Sequence, residues 1–299
     1  MTYSDTLAAT WTLSSRRWFW PALVGSAVAI AYAPTFITLA QGPWQTEQEG
    51  HGPLIIAASV WLVWRSRRQI LRAELHPAPV LGWTLLLAGL LVLILARNQD
   101  VWFLEVASEI PVIAGTTLLL GGWRVLSIVA FPICFLIFSA PAPGWMVDAA
   151  TIPLKLFISD SVTQLLYSAG FPIAQNGVVI LVGAYQLLVQ DACSGLNSIF
   201  VLSALGVFYV YAFRLHERIR ASVLLLLIIP ITVFANFLRV TSLVLIAYYG
   251  GVEKIEGPLH DMTGIALFVV AVLLMFLSDS AISLFLKIFQ LHRRRSGAA

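Results

Sequence analysis

The sequence predicts an all-α polytopic membrane protein with about eight transmembrane helices, an interfacial helix, and a short extracytoplasmic β-hairpin before the sixth span. Of its 299 residues, 59% are hydrophobic and 11% are charged, and its mean hydropathy is +0.88. A soluble domain would carry about a quarter of charged residues. Apolar runs near the ~20 residues needed to cross a bilayer take up most of the chain. We therefore expect one membrane-embedded domain over residues 1–299.

Eight apolar runs are the candidate spans. They are Trp18–Ala40, Pro53–Trp64, Val80–Ala96, Val101–Leu120, Val125–Ala140, Gly195–Phe213, Ala221–Tyr249 and Met262–Phe289. The second run is short, but it can be extended back to His51, and Trp61 and Trp64 beside arginines are typical of membrane interfaces. We interpret the first run as a retained span, because no convincing cleavage pattern for a signal peptide follows it.

Arginine clusters give the expected orientation of the spans. They are Arg16-Arg17, Arg65/Arg67/Arg68/Arg72, Arg124, Arg214/Arg218/Arg220 and Arg293-Arg294-Arg295. If the eight runs are threaded alternately, all the clusters fall on one side, which the positive-inside bias identifies as the cytoplasm. Both termini are then cytoplasmic, and the segment 141–191 is extracytoplasmic. The net charge of +3 is small and divided among these clusters, a pattern of membrane topology rather than of nucleic-acid binding.

The extracytoplasmic segment before the sixth run predicts two further elements. Apolar residues recur at helical spacing over 147–166 with polar residues between them, which predicts an interfacial amphipathic helix. The apolar run Val178–Val189 has about twelve residues, too few for a helical span. Its valines and isoleucines, with a break at Gly183-Ala184, predict two short strands in a hairpin.

Cys193 lies between polar neighbours where the sixth apolar run begins. A helix over 195–213 is roughly 27 Å long, so Cys193 is expected at the extracytoplasmic interface. Asp191 or Ser194 can cap this helix, and the helix dipole then favours the thiolate. The alternative is a small apolar filler, which is our interpretation of Cys134 in the middle of a run. Two cysteines so placed do not predict a disulfide.

Arg239 lies inside the seventh run, in the sequence Asn236-Phe237-Leu238-Arg239-Val240. A charge within a span is costly and is usually functional or paired. Counted from Ala221, Arg239 lies roughly 27 Å along the helix, near the same outer boundary as Cys193. The alternative is an arginine that extends its head group to the interface from a helix end.

Two histidines, His51 and His260, are expected on the extracytoplasmic side. His260 stands where the last span begins, and Asp261 can cap that helix or orient the imidazole. His51 competes for any base role, and either residue could be an ordinary loop histidine. Cysteine, histidine and arginine from different spans converge on one membrane face. Together they supply a nucleophile, its proton partner and an oxyanion stabiliser.

These residues resemble the exosortase/archaeosortase family of membrane-embedded sorting proteases. The resemblance rests on Ala192-Cys193-Ser194-Gly195-Leu196, on Asn236-Phe237-Leu238-Arg239 and on His260 ahead of a last span, and it extends to the eight-span layout. The block His51-Gly52-Pro53 resembles a weaker family motif. The resemblance implies that Cys193 is the nucleophile, Arg239 the transition-state stabiliser and His260 the acid/base.

The resemblance also implies a substrate and a location. The family acts on exported proteins with a C-terminal sorting signal, which is a short motif such as Pro-Glu-Pro, a hydrophobic helix and a basic tail. We expect a cysteine endopeptidase or transpeptidase, surrounded by membrane lipid, in the inner membrane of a Gram-negative bacterium. No metal or organic cofactor is needed for this chemistry. The sequence leaves the oligomeric state open.

Two other classes of protein fit part of the pattern. A transporter or a lipid-processing transferase could use Arg239 to hold an anionic group. A transporter predicts internal repeats and charged residues near the membrane midplane, and we expect neither in this sequence. A non-catalytic scaffold would carry Cys193 incidentally and would tolerate Cys193→Ala.

Overall fold

The computed structural model describes residues 3–46, 49–183, 185–188, 198–214, 217–251 and 258–296. The protein is mostly helical, as predicted, and it contains a small antiparallel sheet. The chain divides into two compact units, Met1–Ala142 and Pro143–Ala299. The single-domain organisation stays a prediction.

The first unit is built from helices. They are α1 (Tyr3–Gln41), α2 (Gly52–Arg72), α3 (Pro79–Asn98), α4 (Trp102–Ala107), α5 (Glu109–Leu120) and α6 (Trp123–Phe135), with a 3-10 turn at Leu136–Ser139 after α6. Helices α2 and α3 each have a proline in the first turn, where its fixed φ and missing N–H suit a helix start. The fourth predicted span is interrupted at Ser108, between α4 and α5.

Helices α3 and α5 pack closely because glycines lie at their contact. A Cβ atom at Gly115 would lie 2.6 Å from the Leu86 backbone nitrogen, and one at Gly89 would lie 2.7 Å from the Val112 side chain. Small residues let two helix backbones approach each other, which favours packing within a bilayer.

The second unit combines helices with the sheet. Its elements are α7 (Gly144–Ser168), β1 (Ile173–Asn176), β2 (Val179–Val182), β3 (Tyr185–Leu188), α8 (Ser198–Tyr209), a π-helical turn at Val210–Arg214, α9 (Arg218–Gly250) and α10 (Pro258–Ser296). Helix α9 packs against α7, α8 and α10. The helix predicted over 147–166 is α7, which extends a little further at both ends.

The predicted hairpin is part of a three-stranded antiparallel sheet in the order β1-β2-β3. Strands β2 and β3 are the two predicted strands, with Gly183 at φ 57° after Val182. The prediction of two strands is wrong in number because it missed β1, which places Ile173 opposite Val182. Only Ile173 of β1 is buried, so the strand has no apolar alternation by which the sequence could reveal it.

One apolar cluster joins the sheet to α7 and to the C-terminal half of α9. Its buried members include Ile158, Val162 and Leu166 from α7, Ile180, Val182 and Leu187 from the sheet, and Val240, Leu243, Val244 and Ala247 from α9. The residues from α7 recur every four positions, so they form one face of that helix. The cluster fixes the sheet on the part of α9 that begins just after Arg239.

Five helical segments in the described part of the chain are long and apolar enough to cross a membrane, which fits a multi-pass membrane protein. They are Ala22–Gln45, Pro79–Asn98, Trp102–Leu120, Ile219–Gly250 and Val269–Ile288. The shorter apolar helices Trp123–Ser139 and Phe200–Phe213 correspond to the predicted fifth and sixth spans. The predicted second span lies in α2, whose C-terminal part carries four arginines. The total of eight spans stays a prediction.

A buried ion pair lies inside one of these candidate spans. Asp279, near the middle of Val269–Ile288, accepts hydrogen bonds from Arg220 Nε and, at 2.7 Å, from the Tyr209 hydroxyl. Arg220 also donates to Glu217 Oε2 at 3.0 Å. Arg220 lies in the first turn of α9, in the arginine cluster predicted at the cytoplasmic boundary, so the pair lies near an end of that helix. The absence of charges near the midplane stays a prediction.

We expect Asp279→Ala to destabilise the protein by up to about 3–5 kcal/mol, because the buried Arg220 guanidinium would lose its buried partner and keep only the exposed Glu217. The loss should appear as a lower Tm of the detergent-solubilised protein. The control is Glu74→Ala, since Glu74 is exposed and pairs with the exposed Arg124 at 2.7 Å. An exposed pair of this kind contributes about 0–1 kcal/mol. Equal Tm values for the two variants would contradict a structural role for Asp279.

Candidate functional site

Asn236 and Arg239 lie one turn apart on the buried face of α9. Asn236 is 0% exposed and Arg239 is 6% exposed. Residues three positions apart share a helix face, so the structure brings these two predicted site residues together. A snorkelling arginine places its head group in interfacial water. The burial of Arg239 favours a functional or paired charge inside the candidate span Ile219–Gly250 instead.

Arg239 does not lie at the end of its helix. Helix α9 continues to Gly250, about 16 Å further along the axis. This continuation packs against α7 and the sheet, beginning with Val240. Arg239 therefore lies one residue before the first fully buried α9 member of the apolar cluster that joins this helix to α7 and the sheet.

Cys193, Asp191 and Ser194 lie outside the described residues, so their roles stay predictions. The described chain reaches Leu188 at the end of β3 and resumes at Ser198, where α8 begins. Strand β3 contacts α9 through the apolar cluster, and α8 packs directly on α9. The elements on both sides of Cys193 are thus anchored to the helix that carries Arg239.

His260 and Asp261 lie in the first turn of α10, which begins at Pro258. The structure describes the backbone of these two residues and not their side chains. Helix α10 packs along α9, so the segment with His260 belongs to the same unit as Arg239. The acid/base role of His260 stays a prediction.

The block His51-Gly52-Pro53 has a packing role in the first unit. His51 Nε2 donates a hydrogen bond to the Phe138 backbone oxygen at 3.1 Å; the nitrogen must carry the proton, because a carbonyl only accepts. Gly52 is buried beside the Trp44 indole, and a Cβ there would lie 2.1 Å from Nε1. These contacts tie the start of α2 to the turn that follows α6.

Glu49, two residues before His51, is a titratable group that the sequence analysis overlooked. Burial raises the pKa of Glu49 to about 7, although a hydrogen bond with the Ala142 backbone acts in the opposite direction. The carboxyl is therefore mostly protonated below neutral pH. Glu47 and Glu49 are two acidic residues in a short loop, a pattern typical of exposed chain that gave no sequence signal for this burial.

A buried polar network in the first unit was also missed. Glu105 accepts a hydrogen bond from the Thr35 hydroxyl at 2.7 Å and lies 3.6 Å from Arg97 Nε. Arg97 Nη2 donates to the same Thr35 hydroxyl at 2.9 Å. One turn along from Glu105, Glu109 is buried as well. Two glutamates four positions apart within an apolar run were the available signal, because such charges are costly in a membrane.

Comparison with known proteins identifies the family. The sequence model of the transmembrane exosortases matches residues 44–277, a range that contains His51, Cys193, Arg239 and His260. No curated protein and no solved structure matches the chain. The family match covers most of the sequence and agrees with the resemblance carried by its motifs. The protein belongs to the transmembrane exosortase family.

Proposed function

We propose that this exosortase is a cysteine endopeptidase or transpeptidase that cleaves exported proteins at a C-terminal sorting signal. The observation that carries the proposal is the buried Arg239, held with Asn236 inside a candidate span of a protein of this family. A guanidinium in a water-poor site stabilises a developing oxyanion much more than it would in bulk water. A scaffold would have no need for such a costly charge.

The proposed reaction is acyl transfer through a thioester. The Cys193 thiolate attacks the scissile carbonyl carbon, which forms a C–S bond and a tetrahedral oxyanion that accepts hydrogen bonds from Arg239. The C–N bond then breaks, and His260 gives its proton to the leaving amine. Water hydrolyses the thioester, or an amine acceptor takes the acyl group. In both cases His260 takes a proton from the attacking water or amine, the C–S bond breaks, and Cys193 leaves as the thiolate.

Three further residues have supporting roles in this proposal. Asp191 or Ser194 caps the helix that follows Cys193 and lowers the thiol pKa together with the helix dipole. Asn236 is a positioning residue beside Arg239. Asp261 orients the His260 imidazole or caps α10. No metal ion takes part in these steps.

The charge pattern supports a cleavage site on the extracytoplasmic side of a bacterial inner membrane. A sorting signal consists of a motif such as Pro-Glu-Pro, an apolar helix and a basic tail. By the positive-inside bias the basic tail stays in the cytoplasm, so the motif at the other end of the apolar helix is outside. The same bias puts the arginine clusters of this protein in the cytoplasm and Cys193 outside.

The proposal is tested by co-expressing the protein with a secreted reporter that ends in a sorting signal, in a host without an exosortase. We expect the reporter to lose its apolar helix and tail, with the new C-terminus at or near the motif by mass spectrometry. The control reporter has Ala-Ala-Ala in place of Pro-Glu-Pro and should stay uncut. If the intact reporter accumulates with both signals, the proposed activity is wrong.

The two candidate histidines should differ in their effects. We expect His260→Ala to lower processing by about 10²–10⁴-fold, the usual contribution of a general acid or base. We expect His51→Ala to keep part of the activity, because His51 Nε2 donates to a backbone carbonyl of its own unit, that of Phe138. The measurement is the cleaved fraction of the reporter, normalised to membrane-extracted protein. The reverse order of effects would assign the acid/base role to His51.

A further inference from the structure

A cavity of about 670 Å³ lies in the first unit between α1, α2, α5 and α6. Helix α2 lines it from Ile56 to Leu71, which corresponds to roughly 22 Å of helix length. Most of the wall is apolar. The exceptions are Tyr32, Ser59, Arg67 and Glu109.

Two of these polar side chains are buried without a hydrogen-bond partner. Glu109 is 3% exposed and Ser59 is 4% exposed. Within the described part of the chain, neither Glu109 Oε1 nor Ser59 Oγ has a hydrogen-bond partner. Native proteins seldom keep such groups unsatisfied, since each one costs the full desolvation of a polar atom. By contrast, the buried Glu105, one turn earlier, has partners: it accepts a hydrogen bond from Thr35 and forms an ion pair with Arg97.

The two unsatisfied oxygens indicate the polarity of a ligand. The carboxyl oxygen Oε1 of Glu109 accepts a hydrogen bond, and the Ser59 hydroxyl can accept as well as donate, so a donor such as a hydroxyl or an ammonium complements both. A carboxylate or phosphate at this point would offer no proton to the Glu109 oxygen. The only cation in the described wall is Arg67, eight positions along α2 from Ser59, or about 12 Å away. Its guanidinium lies over the Trp64 ring at 4.2 Å.

The volume of the cavity decides the size of the ligand. Small-molecule sites measure about 300–1,000 Å³, and this cavity falls within that range. A transmembrane helix about 30 Å long and 10 Å wide occupies roughly 2,400 Å³. The apolar helix of a sorting signal is therefore too large for the cavity, and a single hydrocarbon chain with a small polar end is of the right class.

We propose that this cavity binds a long-chain amphiphile whose polar end is a hydroxyl or amino group. The chain lies along the apolar wall of α1, α2 and α6, and the donor group pairs with Glu109 Oε1 or with Ser59 Oγ. This site belongs to the first unit and is independent of the proposed peptidase reaction.

The test uses photoreactive long-chain probes of equal length that end in an alcohol, an amine, a carboxylic acid or a methyl group. The purified full-length protein carries Cys193→Ala, so that labelling does not depend on catalysis. Labelled peptides are located by mass spectrometry. We expect the alcohol and the amine to label the α2 and α5 peptides around Ser59 and Glu109, and the methyl-ended chain to label them at least about tenfold less, a difference of ~1.4 kcal/mol.

Variants at Glu109 distinguish recognition of the probe's polar end from apolar contact with its hydrocarbon chain. Glu109→Leu should reduce labelling by both donor probes at least about tenfold. Glu109→Gln keeps the shape and an acceptor oxygen, so it should retain labelling by the alcohol and lose labelling by the amine. The control is Glu74→Gln, an exposed residue that pairs with Arg124 outside the cavity, and it should change nothing. Elution in size-exclusion chromatography checks folding, and Glu109→Gln decides the question if Glu109→Leu does not fold.

Three results would overturn the proposal. The first is equal labelling by the methyl-ended and alcohol probes, which would make the cavity an ordinary lipid-facing groove. The second is preferential labelling by the acid probe near Arg67, which would reverse the polarity of the site. The third is labelling of Glu109→Gln by the amine probe at the wild-type level, which would show that the Glu109 carboxyl does not recognise the amino group.

Discussion

Cys193→Ala is expected to abolish processing of a sorting-signal substrate while the protein stays in the membrane at its normal amount. Without the thiolate no acyl-enzyme forms, and the remaining groups can only bind the substrate. Loss of the nucleophile in another acyl-transfer protease costs on the order of 10⁶-fold in kcat. Cys193→Ser should retain a trace at most, because serine is a weak nucleophile at a site tuned for a thiolate. The measurement is the cleaved fraction of reporter per amount of membrane-extracted protein.

The matched control is the other cysteine of the chain. Cys134 lies in α6 and is exposed, and no proposed step uses it, so Cys134→Ala should process normally. Together the two variants distinguish an enzyme from a scaffold. Normal cleavage by Cys193→Ala would remove Cys193 from the mechanism and leave the scaffold as the better explanation.

Arg239→Lys is expected to lose most of the activity, even though the positive charge is retained. The guanidinium is a planar fork of donors at fixed angles, whereas the lysine ammonium is a point charge on a flexible stem. Arg239 is buried on α9, so a shorter or differently directed donor has little room to adjust. Loss of one oxyanion donor costs on the order of 10²–10³-fold in rate. Processing by Arg239→Lys and Arg239→Ala, each normalised to extracted protein, measures the effect.

An arginine outside the proposed site provides the comparison. Arg124 is exposed and forms an ion pair with Glu74 at 2.7 Å. Arg124→Lys retains the positive charge at this position, so its processing activity should be near normal. If Arg239→Lys also cleaves normally while Arg239→Ala does not, charge alone suffices at position 239. The directed oxyanion contact would then be wrong.

The helices were predictable from the sequence because uninterrupted apolar runs leave few other structures in a bilayer. Strands β2 and β3 were predictable for a related reason, since Val178–Val189 is too short to cross as a helix. Strand β1 was not, because its stability comes from pairing with β2 rather than from its own apolar pattern. Arg239 was found because an arginine among apolar residues stands out even without a structure.

The buried carboxylates show what a sequence pattern leaves out. A single carboxylate hardly changes the mean hydropathy of a run of about twenty residues. The sequence therefore does not show that Glu105, Glu109 and Asp279 are buried. Their partners are far away in the chain: Thr35 is 70 positions from Glu105, and Arg220 is 59 positions from Asp279. Only the fold brings such pairs together. The hydrogen bond from His51 to Phe138, 87 positions apart, escaped the sequence analysis for the same reason.

The ion pair of Asp279 also has a consequence for biogenesis. An aspartate within an apolar helix is costly when the helix enters the bilayer. Arg220 and Tyr209 precede Asp279 by 59 and 70 positions, so the ribosome has already made both when Asp279 emerges. The positive partner of Asp279 has therefore already been synthesised when the last helix, α10, enters the membrane. Because synthesis proceeds from the N-terminus, the residues that pair with Asp279 are made before Asp279 itself has to be inserted.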